Sequence, residues 1–147
     1  MEIIKWLSIT ARYTRIYLDK ELAPLNLNSS QYMYVIRVCQ EPGITQDRFL
    51  KLFYVNPSNI TRSLARLEKD GFIRRESYPG DRRTWRLWPT RRAIEANKKI
   101  QKIIADMEGY LTDHLDDSQA RWLREWLEDA GKKVILQTSK DFFQERG

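Results

Sequence analysis

The chain has 147 residues, with 26 Lys plus Arg against 20 Asp plus Glu, one His, one Cys and a net charge of +6. That length suits one domain, or a compact domain with helical extensions. No run approaches the roughly 20 apolar residues of a membrane span, and the opening MEIIKWLSITARYTR lacks the small-residue site of a cleaved leader. One Cys and one His leave no internal disulfide and starve both a structural zinc site and His-centred catalysis, so a reducing, cytoplasmic setting is expected, with no cofactor or metal.

Residues 2–22 place Ile3, Ile4, Leu7, Ala11, Thr14, Leu18 and Leu22 recurring at steps of three and four, the period of an amphipathic helix that Pro24 should end. Ser29 and Ser30 offer caps for a second helix to about Gln40, with Tyr32, Val35, Ile36 and Cys39 as its inner side. The turn EPG follows, and Thr45 is expected to cap a short third helix, TQDRFLKLF. Next comes YVNPSNITRSLARLEKDG. Asn56 is an N-cap candidate and Pro57 sits at the first helical position, where its missing N–H costs nothing. Ile60, Leu64 and Leu67 form an apolar stripe, and Gly71 supplies the stop. The opposite side offers Ser58, Arg62 and Arg66, flanked by Asn59, Thr61 and Ser63.

After Gly71 the period moves from 3.6 towards 2. Residues 72–78 and 82–88 read as two strands around a Pro79-Gly80-Asp81 turn. Two strands alone are marginal, so the hairpin must lean on helices. Thr90 should cap a long helix to about His114, with Ala93 or Ile94, Asn97, Ile100, Ile103 or Ile104, Met107 and Leu111 inward. Asp116 and Asp117 should begin a last helix carrying Trp122, Leu123, Trp126, Leu127, Ala130, Val134 and Ile135.

The charge is unevenly spread: residues 1–50 carry +1, residues 51–92 carry +7 and residues 93–147 carry −2. A field concentrated in the middle implies a polyanionic partner. Helix, turn, helix and basic hairpin, in that order, is a winged helix-turn-helix, and the fold class expected is mainly α with a small β wing. A recognition helix at about 57–70 can fill the major groove of double-stranded DNA. Ser58, Asn59, Thr61, Arg62 and Arg66 are then its candidate contacts. A wing at about 72–88 can place Arg82 in the minor groove, with one of its arginines pairing with Asp81 to hold the turn. Thr45, Arg74, Arg75 and Arg86 are candidates for phosphate.

LEKDGFIRR followed by PGDRR, with NPSNITRSLARLE before it, resembles the multiple antibiotic resistance regulator (MarR) family of transcription factors. The specific part is about residues 43–92, and the order of elements matches across most of the chain. The resemblance implies that Asp81 and Arg83 pair to shape the wing while Arg82 probes the groove. It also implies a homodimer formed by the terminal helices, 1–28 and 93–147, around a DNA-binding part at 29–92. The usual Leu-Thr and small residue after the wing are replaced here by Trp88-Pro89-Thr90-Arg91-Arg92-Ala93, so the join into the next helix is expected to differ in angle.

The termini carry more apolar surface than one small core covers, with Trp6, Trp122, Trp126, Ile135, Leu136, Phe142 and Phe143 prominent. A two-fold dimer would bury it and set two recognition helices about 34 Å apart on successive major grooves of a palindromic operator. The resemblance further implies a cleft for a small aromatic or phenolic effector, which Tyr13, Tyr17, Tyr32, Met33 and Arg37 are placed to line. Cys39 is the candidate for a redox sensor, but its inner position favours a buried, inert thiol.

The chain is therefore expected to be a homodimeric, sequence-specific regulator, a repressor released by an effector and nucleoid-associated when bound to DNA. The alternative is an effector-independent architectural or nonspecific DNA-binding protein. An enzyme is disfavoured, because nucleophile–base pair, metal cluster and phosphate-cradling glycine loop are all missing.

Overall fold

The computed structural model describes residues 1–78 and 80–138, and gives only the backbone of residues 78 and 81–83. Phe142 and Phe143 lie outside the described residues. The elements run α1 (Glu2–Leu22), a 3-10 turn (Ala23–Leu25), α2 (Tyr32–Gln40), β1 (Ile44–Thr45), α3 (Arg48–Phe53), α4 (Pro57–Lys69), β2 (Ile73–Tyr78), β3 (Asp81–Pro89), α5 (Arg91–Thr112) and α6 (Asp117–Thr138). The chain divides into two compact units, Met1–Asp106 and Met107–Gly147. No helix among the described residues is long and apolar enough to cross a membrane.

In the first unit, α1 ends at Leu22 and Pro24 opens the 3-10 turn behind it. The cap before α2 is not a serine. Gln31 stands before the helix with no side-chain cap, and in the turn ahead of it Asn28 Oδ1 accepts from the Ser30 backbone N–H at 2.9 Å while Gln31 Oε1 accepts from the Asn28 N–H at 3.1 Å. The buried side of α2 is Tyr34, Val35 and Val38, whereas Tyr32, Ile36 and Cys39 pack partly buried against the core. The sequence stripe was displaced by one position because Tyr34 is drawn into an aromatic cluster. Its ring centroid lies 4.9 Å from Phe49 and 5.4 Å from Phe53.

Thr45 does not cap α3. It belongs to β1, which adds a third strand to the hairpin in the order β1-β3-β2, all antiparallel. Ile44 pairs with Leu87 and Thr45 with Arg86, while Glu76 of β2 faces Arg86 from the other side. Asp47 stands before α3 instead, with no side-chain cap. A two-residue strand has no periodicity to read; it exists because β3 offers it a partner. Gly43, at φ +88°, enters it beneath Trp88, whose ring would lie 3.1 Å from any Cβ there.

The core joins α2, α3, α4, the sheet and the start of α5. Phe49, Leu64, Leu67, Phe72, Leu87 and Ile100 are fully buried. In α5 the inward residues are Ala93, Ala96 and Ile100; Ile94 is 48% exposed, and Asn97 lies at the margin rather than inside. The helix ends at Thr112, short of His114.

The second unit is simpler. Asp116 Oδ1 accepts from the Gln119 N–H at 2.8 Å and Gln119 Oε1 accepts from the Asp116 N–H at 3.0 Å, so a capping box starts α6 as the acidic pair suggested. Leu111 is exposed, and no residue of α6 is buried; Trp122 is 63% exposed and stacks on Trp126 with ring centroids 6.3 Å apart.

Candidate nucleic-acid interface

The site is built on α4. Asn56, in an extended conformation before the helix, accepts from the Ser58 backbone N–H at 2.9 Å and from the Ser58 hydroxyl at 2.7 Å. Pro57 then occupies the first turn, as its fixed φ favours. Ile60, Leu64 and Leu67 are buried, which fixes the rotation of the helix about its axis. Ser58, Asn59, Thr61, Arg62 and Arg66 are all left exposed. Ser63 faces inward and bonds the Tyr34 hydroxyl, while burial pushes the Tyr34 phenol up from its ordinary value.

Each of the five exposed side chains already has a local partner. Arg62 Nη2 donates to Asn59 Oδ1 at 2.8 Å, and Arg66 Nε donates to Asp70 Oδ2 at 2.9 Å. The Thr61 hydroxyl donates to the Pro57 carbonyl at 3.1 Å and accepts from Gln46 Nε2 at 3.2 Å. The surface is thus held in order before any ligand arrives. A guanidinium has five N–H donors, so Arg62 and Arg66 keep capacity for a second acceptor. The Gln46 contact was not visible in the sequence, because it joins positions fifteen apart through the turn before α3.

Three of the four phosphate candidates are arginines, and their settings differ. Arg74 is outermost, 61% exposed, and bonds Glu76 at 2.6 Å. That contact holds the Glu76 carboxyl below the usual carboxylate range. Arg75 points the other way. Its guanidinium bonds Glu68 of α4 at 2.9 Å and lies 5.1 Å over the Trp85 ring, with only 22% of the side chain exposed. The Arg75 bond also holds the Glu68 carboxyl below its usual range, against the burial that raises it. Arg86 is half-buried on the middle strand between Thr45 and Glu76. The side chains of Asp81, Arg82 and Arg83 lie outside the described part; their backbone opens β3 just after Gly80, which has φ +94°.

The five candidate effector residues are not gathered into one cavity. Met33 lines a cavity of about 630 Å³ between α2 and α4, with Tyr34, Val55, Asn59 and Arg66, and none of the other four lines it. Tyr17 and Tyr32 pack partly buried on the core, and Tyr13 is 61% exposed with the Arg12 guanidinium 5.7 Å from its ring. Arg37 pairs with Glu41 at 3.5 Å, and Arg48 of α3 bonds the same carboxylate. Cys39 is partly buried, and that burial pushes its thiol up, away from the reactive thiolate.

Comparison with known proteins agrees with this geometry. The MarR family profile matches residues 27–85. The HTH-type transcriptional regulator YybA of Bacillus subtilis is 26% identical over 103 residues, 70% of this chain and 66% of its own length. The solved structure of MarR is 32% identical and superimposes with a TM-score of 0.74, over 92% of this chain and 98% of that one. The S. aureus MepR–DNA complex shares the fold at a TM-score of 0.81 with 17% identity, over 88% of this chain and 96% of that one. With a three-stranded wing, an exposed polar helix face above a buried stripe and a relative this similar along its whole length, the chain belongs to the MarR family of winged-helix transcriptional regulators.

Proposed function

We propose that the protein is a homodimeric, sequence-specific repressor that occupies a palindromic operator in double-stranded DNA and is released by a small aromatic or phenolic ligand. The observation that carries this reading is α4 itself. One side is locked into the core, and the other exposes Ser58, Asn59, Thr61, Arg62 and Arg66 in a segment of net charge +7. Such a helix enters the major groove with its N-terminal turns against base edges. Arg62, exchanging its bond to Asn59 for a guanine edge, is the best placed for bidentate contact.

Around it, Arg74 exchanges Glu76 for phosphate, with Thr45 and Arg86 beside it on the sheet. Arg75 serves better as the strut between wing and helix than as a phosphate ligand, because Glu68 and Trp85 already hold it. Arg82 is assigned to the minor groove, with Asp81 and Arg83 shaping the turn. The dimer is supported by apolar side chains left in water: Ile3, Ile4 and Trp6 on α1, and Trp122, Val134 and Leu136 on α6, are each more than half exposed. An effector on the half-buried rings of Tyr17 and Tyr32 would act by changing the population of DNA-competent forms, not by chemistry.

Selection of bound duplexes from a random pool at near-physiological salt tests the reading. A short inverted repeat with half-sites about one helical turn apart is the expected result. Binding that enriches no sequence and vanishes as salt rises would leave a nonspecific, architectural protein.

A further inference from the structure

The end of α4 closes with a Schellman motif. The Phe72 N–H donates to the Leu67 carbonyl at 2.9 Å and the Gly71 N–H to the Glu68 carbonyl at 3.1 Å, with Gly71 at φ +83°. The chain then passes straight into β2, so residues 70–72 are the hinge between recognition helix and wing. Three successive carbonyls of this hinge point at the start of α5, and α5 answers all three. The Thr90 hydroxyl lies 2.6 Å from the Gly71 carbonyl oxygen, the Thr90 N–H donates to the Phe72 carbonyl at 3.1 Å, and Arg92 Nη1 donates to the Asp70 carbonyl at 2.5 Å. The Arg92 guanidinium also lies 4.5 Å from the Phe72 ring centroid.

We infer that Arg92 is a positioning residue for DNA recognition, fixing the recognition helix and the wing relative to each other from the first turn of α5. Its charge sits at the negative end of the α4 dipole, where a cation is favoured. Its planar fork bonds the carbonyl of Asp70, the residue that caps α4, and covers the ring that leads into the wing, a pairing that a lysine's point charge does not reproduce. A helix and a wing that must meet adjacent grooves together tolerate little freedom at the hinge. Loosening it leaves every DNA-contacting side chain present but lets helix and wing engage separately. Arg91, the preceding residue, is different: its Nε pairs along the helix with Glu95 at 3.1 Å and 92% of its side chain is exposed.

This inference rests on the DNA reading above, and the experiment separates the two. Affinity of the wild type, Arg92→Met and Arg91→Met for the selected operator and for a random duplex is measured across a salt series, beside their thermal melts. Arg92 is exposed, so Arg92→Met keeps a folded core. The expected result is an operator affinity about tenfold weaker for Arg92→Met, consistent with a lost charged hydrogen bond, with random-duplex affinity and salt slope unchanged. Arg91→Met should match the wild type. Equal loss on both duplexes with the salt slope reduced by about one would make Arg92 a phosphate contact and overturn the proposal. So would an unchanged operator affinity, or the same loss in Arg91→Met. A wild type with no preferred operator would instead overturn the DNA reading, and this inference with it.

Discussion

Helices α4 and α6 both carry an apolar stripe in the sequence, sharper in α4, and the fold treats them in opposite ways. Ile60, Leu64 and Leu67 of α4 are 2%, 0% and 0% exposed, whereas Trp122 and Leu127 of α6 are 63% and 48% exposed. The same kind of pattern therefore serves two purposes. In α4 it anchors the helix from within, so that the remaining side is free for a ligand. In α6 it leaves apolar side chains exposed among the described residues, and exposed apolar area of this kind marks an interaction surface.

The sharpest way to break the comparison is at Leu64. Leu64→Ala removes a fully buried side chain, and a loss of about 2–5 kcal/mol is expected in chemical denaturation. Trp122→Glu should do the reverse. The fold of each chain should survive, while the solution mass by light scattering drops from two chains to one; a buried aromatic anchor in an interface is worth about 2 kcal/mol or more. An unchanged dimer would mean that α6 is not the interface.

A smaller effect is expected at the cap. Asn56→Ala leaves the Ser58 N–H and hydroxyl without their acceptor and should cost about 1 kcal/mol, read from the denaturation midpoint. The smallest lies in the strut between α4 and the wing. Glu68 is held below the usual carboxylate range in the folded protein by Arg75, so its contribution is present above the unfolded value. It is lost as pH falls through the lower, folded value. With 39% of the side chain in water the effect is screened, on the order of 0.2–1 kcal/mol. Glu68→Gln should cost that small amount at neutral pH and nothing once pH lies below the folded value, so that stability falls less steeply with acid than in the wild type. Parallel curves for the two proteins would remove the strut from the account.

Much of α4 was legible because its signals are local. Asn56, Pro57, the Ile60/Leu64/Leu67 stripe and Gly71 act over one to four residues, and each stands in the structure where the sequence placed it. What the sequence leaves hidden is mostly non-local. β1 is too short to have a period and is made by β3; Thr45 therefore pairs with Arg86 instead of capping α3. Tyr34 was passed over on α2 because its reason for burial, Phe49 and Phe53, comes fifteen or more residues later. Ser29 and Ser30 carry the right chemistry for a cap, but the turn before α2 is closed by Asn28 and Gln31 and the helix itself starts without a side-chain cap.

The same division applies to the candidate site. Composition along the chain located the basic segment, and periodicity assigned its arginines to one face. Neither could tell Arg74 from Arg75, adjacent cations of which one lies in water and the other is braced against Glu68 and Trp85. By itself the sequence determined which segments are helical, where α4 begins and ends, and which of its sides carries polar donors, because backbone preference and hydrophobic spacing act between near neighbours. Only the tertiary structure decided which polar groups are already engaged, that a third strand exists, and that the start of α5 holds the hinge of the wing. The third strand and the hinge depend on groups that meet across about twenty to forty residues of chain, where a hydrogen bond leaves no mark in local sequence.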